Sequence, residues 1–384
     1  MVSFGRAGKI QKAPIIQLMS ETKISHDVIS LGQGVPFFGP PQESIKEGNE
    51  ATSVGKRFSY STDEGIIELR TVIREKVQRE NNIVVDDRNI IVTAGANQAF
   101  MNCILTITHP GDEVIVIAPT YFNYVMAIQL AGCIPVIVQS DPRTFLPSVE
   151  TVLSHMSSKT KAIVTISPNN PTGIVYPKKL LKEINKLCQD QELYNISDEV
   201  YEYFVFDDHI HVSPASFNDD LHWTITLFSC SKSFGMAGYR IGCIVTPSHL
   251  IDDMIKVQDT IGICAPIPGQ YAAIPAFKLG SSYVANYHSE MDEIRKMTYS
   301  KLKTLESVEV DLPQGAMYCY VKLEPKINTW DLAKNLIERF KVIVIPGEVF
   351  HALDSNLRVS FGNLHMKESM EGVSRLMHGL NSLV

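Results

Sequence analysis

No stretch of this chain approaches the ~18 consecutive apolar residues of a membrane-spanning helix, so a bilayer protein is not expected. The stretch from Met1 to Lys23 is mixed and basic, with no apolar segment of signal-peptide length, and the expectation is a cytoplasmic protein. Cysteine is sparse and odd in number, with 7 residues and no Cys-x-x-Cys pair. That indicates neither a disulfide framework nor a zinc site, and it suits a reducing compartment. Positive charge is short as well. The 35 Lys and Arg against 42 Asp and Glu give a formal net charge of −7, which aids solubility and argues against nucleic-acid or anionic-membrane partners. Internal repeats and low-complexity segments are missing. So is the third glycine of a Gly-x-Gly-x-x-Gly dinucleotide loop. Phe37 follows Gly32-Gln33-Gly34-Val35-Pro36 at that place, and no strand–glycine–helix context surrounds it.

What is present is a 384-residue chain, 45% hydrophobic and 20% charged, which is ordinary for a globular protein and too long for one simple core. Short apolar runs end at Val92, Ala118, Val138, Ile166, Ile196, Phe228 and Val245. Helical patterns alternate with them, notably Gly65 to Glu80 and Pro177 to Asp190. Strand and helix in alternation predict an α/β unit with a mostly parallel sheet covered on both faces. In such sheets ligands gather at the carboxyl ends of the strands. From Ser282 the texture changes. A long amphipathic pattern runs to Ser307, with short strands expected at Met317 to Leu323, Val342 to Ile345 and Leu357 to Phe361, and helices at Thr329 to Phe340 and Lys367 to Leu380. That reads as a smaller α+β unit. Residues 260–272 read as a Pro/Gly loop.

The strand ends carry the polar residues of interest. Gly95-Ala96-Asn97 follows one run and opens a helix, whose exposed N–H groups and partial positive charge suit a phosphate dianion. Tyr121, Asn170 and Asp198 follow three others. Taken singly each has a plain explanation: Tyr121 as core, Asn170-Pro171-Thr172-Gly173 as a turn, and Asp198 as an exposed or capping carboxylate. Lys232 follows Ile225 to Phe228 within Ser229-Cys230-Ser231-Lys232-Ser233-Phe234-Gly235-Met236-Ala237-Gly238-Tyr239-Arg240. Arg358 lies in the apolar run Leu357 to Phe361, where burial calls for an anion or a nearby carboxylate.

In this order and spacing the residues closely resemble the pyridoxal-phosphate (PLP) aminotransferases of fold type I, class I/II, over about residues 29 to 364. Asn170 precedes Asp198 by 28 positions, Asp198 precedes Lys232 by 34, and Arg240 follows Lys232 by 8. The resemblance implies a large PLP-binding domain with a mostly parallel seven-stranded sheet, over residues 45–280. It implies a small α+β domain from residues 1–44 and 281–384. Lys232 would bind the cofactor aldehyde and act as general base. Asp198 would pair with the pyridine nitrogen, and Tyr201 and Asn170 would meet the phenolic oxygen. Tyr121 would stack on the ring. Gly95, Ala96, Asn97, Ser229 and Arg240 would hold the phosphate, with Tyr60 reaching the neighbouring subunit's phosphate in a homodimer. Arg358, with Gly34 and Asn170 beside it, would take the substrate α-carboxylate. Pro313 to Tyr318 also matches a family segment, and the 260–272 loop would approach the partner's site. No metal is implied. The substrates would be an amino acid and a 2-oxo acid, exchanged by ping-pong kinetics.

The donor side chain is less determined. Relatives selective for aspartate place a lysine where Asn97 stands, and Val35 and Phe37 are apolar. The Thr93 to Phe100 and Tyr121-Phe122-Asn123 stretches also resemble aromatic aminotransferases that accept methionine. The reading leans to an aromatic or other large apolar donor, with an aspartate-type enzyme and a carbon–sulfur β-lyase of the same fold as alternatives. A non-catalytic regulator module lacks support, since no basic or DNA-binding extension is present.

Overall fold

The computed structural model describes residues 5–22, 25–53, 58–217 and 221–384; of the stretch from Met1 to Lys23, residues 1–4 and Lys23 lie outside these. The strands in chain order are β1 (Ile29–Ser30), β2 (Ile90–Thr93), β3 (Glu113–Ala118), β4 (Ile134–Gln139), β5 (Thr160–Ile166), β6 (Tyr194–Asp198), β7 (Thr224–Ser229), β8 (Gly242–Val245), β9 (Val308–Glu309), β10 (Tyr318–Leu323), β11 (Val342–Ile343), β12 (Ile345–Pro346) and β13 (Asn356–Ser360). The helices begin with α1 (Pro14–Glu21), α2 (Gln42–Ala51), α3 (Ile67–Asn81), α4 (Ala96–Ile107), α5 (Phe122–Ala131), α6 (Val149–Ser154) and α7 (Lys178–Asp190). They continue with α8 (Cys230–Ser233), α9 (Ile251–Gly262), α10 (Ile267–Leu279), α11 (Ser281–Leu302), α12 (Thr329–Phe340) and α13 (Met366–Leu383).

The main sheet has seven strands in the order β2-β8-β7-β6-β5-β3-β4. Its strands pair in parallel except β8, which runs antiparallel to both neighbours. Every residue of β2, β6 from Asn195, β7 and β8 is buried, which is why these strands read as unbroken apolar runs rather than alternating ones. One face packs on α4, α5 and α9 through Phe100, Ile104, Val125, Ile128 and Met254. The opposite face of β5, β3 and β4 packs on α7 through Leu181, Ile184 and Cys188. Ile73, Val77 and Phe277 carry the α3 and α10 side.

A second, antiparallel sheet runs β12-β13-β10-β9, and its core joins α11, α12 and α13. Beside it β1 pairs in parallel with β11, so the N-terminal segment is sewn to residues far along the chain. Here the expected strand Val342 to Ile345 divides. Val342–Ile343 pairs with β1, whereas Ile345–Pro346 pairs with β13, so four residues serve two sheets.

The expected loop at 260–272 is instead mostly helical. α9 runs through Gly262, and α10 starts at Ile267. Pro268 falls in the first turn of α10, where the missing N–H has no helical partner to lose. Gly269, Ala272, Ala273 and Ala276 are small enough to bury the helix closely, as a Cβ on Gly269 would stand 2.6 Å from the Tyr239 carbonyl. The amphipathic pattern expected to Ser307 stops as helix at Leu302 and turns into β9. No helix among the described residues is long and apolar enough to cross a membrane, and none of their His, Cys, Asp and Glu side chains cluster as a metal set. All seven cysteines are free thiols.

Candidate active site

A cavity of about 210 Å³ opens over the carboxyl ends of the main sheet and is roofed by the second sheet. Its lining includes Gly34, Ala96, Asn97, Tyr121, Asn170, Asp198, Tyr201, Ser229, Lys232, Arg240 and Arg358, residues scattered over more than 300 positions of sequence. Gly95 does not line it but immediately precedes Ala96, which does. Tyr60 does not line it. That side chain is 76% exposed and borders a separate groove with Phe58, Ala265 and Pro268.

The geometry follows from the strand ends. Asp198 is the last residue of β6 and is 4% exposed. Its carboxylate accepts from the Tyr124 hydroxyl and, at 3.1 Å, from the Val200 N–H. Burial nevertheless pushes its pKa up to about 6. Lys232 sits on the short α8 after β7, with Nζ donating to the Gly34 carbonyl. Burial, then the Arg358 and Arg240 charges, bring its pKa down to about 8.

Opposite them, Arg358 on β13 is 3% exposed. It donates to Asn170 Oδ1 at 2.8 Å and to the Gly32 carbonyl at 2.7 Å. Its Nε is buried with no partner. No carboxylate pairs with it, so the salt-bridge explanation for a buried arginine fails here among the described residues. A buried guanidinium with an unused donor and a cavity in front of it is suited to a ligand carboxylate.

The third corner is shaped for a phosphate. Gly95 adopts φ +88°, and a Cβ there would stand 2.5 Å from Arg240 Nη2. Gly95 caps α4 without a side-chain hydrogen bond, so the opening N–H groups of that twelve-residue helix face the corner. The close approach of β8 also excludes a side chain on Gly242, where a Cβ would stand 2.9 Å from the Ala96 nitrogen. Arg240 holds a left-handed φ of 55°, with its guanidinium at 3.0 Å from the carbonyls of Ala94 and Ala237. Ser229 and Ser231 supply hydroxyls beside it. An amine, a buried carboxylate, a helix N-terminus beside one arginine and a second, buried arginine with an unused donor thus surround one space, a set that fits PLP and an amino acid.

Several lining residues escaped the sequence. Tyr124 sits one helical turn after Tyr121 and stacks on Phe100 with ring centroids 4.0 Å apart, so it reads as core until its hydroxyl is seen on Asp198. Ser231, Tyr318, Ile15 and Phe122 line the cavity too. Ile15 had no signal, because α1 is distant in sequence from every motif. Behind Asp198, the Glu199 carboxylate is buried and accepts from Ser197 at 2.9 Å, from Ser213, and pairs with His211 at 2.9 Å.

The fold and this cavity place one buried lysine between two arginines over the carboxyl ends of an α/β sheet. The chain belongs to the class I and II aminotransferases, whose family model matches residues 26–376. It is a PLP-dependent aminotransferase. It is 34% identical over 382 residues to an aromatic aminotransferase of Arabidopsis thaliana, covering 97% of this chain and 94% of that one. It is 35% identical over 359 residues to an aspartate aminotransferase of Pyrococcus abyssi, covering 91% and 92%. Among solved structures, the aromatic aminotransferase of Pyrococcus horikoshii superposes with a TM-score of 0.87 at 32% identity, covering 96% of this chain and 99% of that chain. The aspartate aminotransferase of Thermus thermophilus with maleate superposes with a TM-score of 0.91 at 29% identity, covering 99% and 100%.

Proposed function

We propose that this aminotransferase takes its amino group from an aromatic or other large apolar L-amino acid and delivers it to a 2-oxo acid. In this reading Arg240, Ser229, Gly95, Ala96 and Asn97 hold the PLP phosphate. Tyr121 covers the ring, Asp198 keeps the pyridine nitrogen protonated, Tyr201 and Asn170 bind the phenolic oxygen, and Lys232 holds the aldehyde. Bound there, PLP supplies the electron sink that makes the substrate Cα acidic. The remaining work belongs to the protein. Arg358 fixes the α-carboxylate with a planar pair of donors, Gly34 lies beside it, and Lys232 Nζ carries the proton away from Cα and returns it. With a pKa of about 8, a useful fraction of Lys232 is neutral near neutral pH. The observation that carries this reading is the buried Arg358 with an unpaired Nε facing Lys232 across one cavity.

The donor preference rests on the cavity wall. Ile15 and Phe122 face the cavity and are backed by Phe350, Val349 and Tyr320. The cations among the described lining residues are Lys232, Arg240 and Arg358, and each already has a partner in this reading. A distal carboxylate on that wall would be buried without a countercharge, whereas an aromatic ring would add apolar burial. Relatives named for aspartate match as well as those named for aromatic donors, so the wall and the neutral Asn97 carry the preference.

We also assign residues 45–280 to a PLP-binding domain and residues 1–44 with 281–384 to a smaller one. The exposed Tyr60 beside Phe58 and Pro268 forms an apolar groove suited to a second copy of the chain, whose phosphate Tyr60 would reach. Product analysis tests the reaction type. Phenylalanine and 2-oxoglutarate should give phenylpyruvate and glutamate in equal amounts. Pyruvate and sulfide from cysteine without any added 2-oxo acid would identify a β-lyase instead.

A further inference from the structure

Tyr318 opens β10 and is 1% exposed, and it touches three of the groups assigned above. Its hydroxyl lies 2.7 Å from the Tyr201 hydroxyl. Its ring lies against the Arg358 guanidinium, with Cζ 4.3 Å from the ring centroid. Its hydroxyl also bounds Gly34, where a Cβ would collide with it, and the Gly34 carbonyl accepts from Lys232.

The two phenols share one hydrogen bond and own two protons. A phenol donates once and can accept as well, so one of them supplies the shared proton and the other keeps its own for a different acceptor. Either hydroxyl can supply the shared proton, and the guanidinium lying against the Tyr318 ring favours donation from Tyr318. With Tyr318 donating, Tyr201 accepts and its own proton is available to the cavity that it lines.

We propose that Tyr318 is a positioning residue of the transamination: its hydroxyl donates to Tyr201, so that Tyr201 aims its single proton into the cavity, while its ring supports Arg358. This rests on the reading of Tyr201 as donor to the cofactor's phenolic oxygen. A donor whose oxygen itself accepts a hydrogen bond is polarised and donates more strongly. Tyr318 thereby links the carboxylate-binding arginine to the electronic state of the cofactor.

The test is a pH titration of the visible absorbance band of the PLP-loaded enzyme in wild type, Tyr318→Phe, Tyr201→Phe and the double variant. Phenylalanine keeps the ring against Arg358 and removes only the hydroxyl. Loss of one hydrogen bond to Tyr201 should raise the midpoint by about 0.4 to 1 pH unit, because the anionic phenolic oxygen is less well stabilised. In the Tyr201→Phe background, Tyr318→Phe should move nothing further. Gly34→Ala, whose Cβ would collide with the Tyr318 hydroxyl and push the intact phenol away from Tyr201, should shift the midpoint upward too and serves if Tyr318→Phe does not fold. An unmoved midpoint in Tyr318→Phe, or an equal shift without the Tyr201 hydroxyl, overturns the proposal alone. Wild-type protein with no visible band overturns the PLP assignment and this proposal with it.

Discussion

Asp198→Asn should make the cofactor-free protein more stable at neutral pH while removing its activity. The carboxyl is 4% exposed, and its pKa stands near 6 in the folded chain against an ordinary 3.8. A raised carboxylate pKa means that folding favours the protonated form. Stability from this group is therefore full below pH 3.8 and is lost as the pH rises through 6. Above that window the cost is roughly 3 kcal/mol, from about 1.4 kcal/mol for each pH unit of difference. Asparagine resembles the protonated acid in shape: its oxygen can accept from the Val200 N–H, while its NH2 takes the place of the other oxygen and donates to the Tyr124 hydroxyl oxygen. Thermal unfolding of cofactor-free wild type and Asp198→Asn, each at pH 7.5 and pH 4, checks this. The variant should melt several degrees higher at pH 7.5, and the gap should close at pH 4. A variant that melts lower at both pH values would show that the charge is well compensated and the argument from burial wrong.

The lowered pKa of Lys232 should be visible in its reactivity: competitive acylation of the cofactor-free protein, read by mass spectrometry, should rise with a midpoint near pH 8, and a midpoint above 10 would refute the burial argument. Arg358→Lys keeps the charge but loses the planar fork, so kcat/KM for amino acids should fall about 30- to 100-fold, the equivalent of ~2–3 kcal/mol, with the PLP absorbance spectrum unchanged. Gly95→Ala forces a Cβ to within 2.5 Å of Arg240 at a φ of +88°, and PLP titration should show at least tenfold weaker binding than wild type. Ile15→Arg adds a cation to the apolar wall, and the ratio of rates for aspartate over phenylalanine should rise.

The lining of the candidate site was largely legible because its polar residues stand at strand ends. Asp198, Asn170 and Lys232 each follow a buried apolar run, and a polar residue there has few places to point other than the crevice above the sheet. Arg358 was legible for a related reason, since an arginine inside a buried strand stands out as a charge in need of polar partners. Tyr124 and Tyr318 were hidden, because a tyrosine in an apolar helix or strand looks like core, and only tertiary pairing reveals what its hydroxyl meets. The 260–272 segment was misread by composition. Its prolines begin a helix rather than break one, and its small residues serve close helix packing. The division at Val342 to Pro346 was hidden because each half makes only two paired positions, too few for any alternation to mark.

The claim that this enzyme transfers amino groups from large apolar donors is tested most directly by the first half-reaction alone. PLP-loaded enzyme is mixed with phenylalanine, methionine or aspartate, and loss of the visible band is followed by stopped-flow absorbance before any 2-oxo acid is added. The account predicts bleaching by phenylalanine or methionine at least tenfold faster, at equal concentration, than by aspartate, with the band restored by 2-oxoglutarate. Faster bleaching by aspartate would contradict the reading of the Ile15–Phe122 wall, and a band that no amino acid bleaches would contradict the central role given to Lys232.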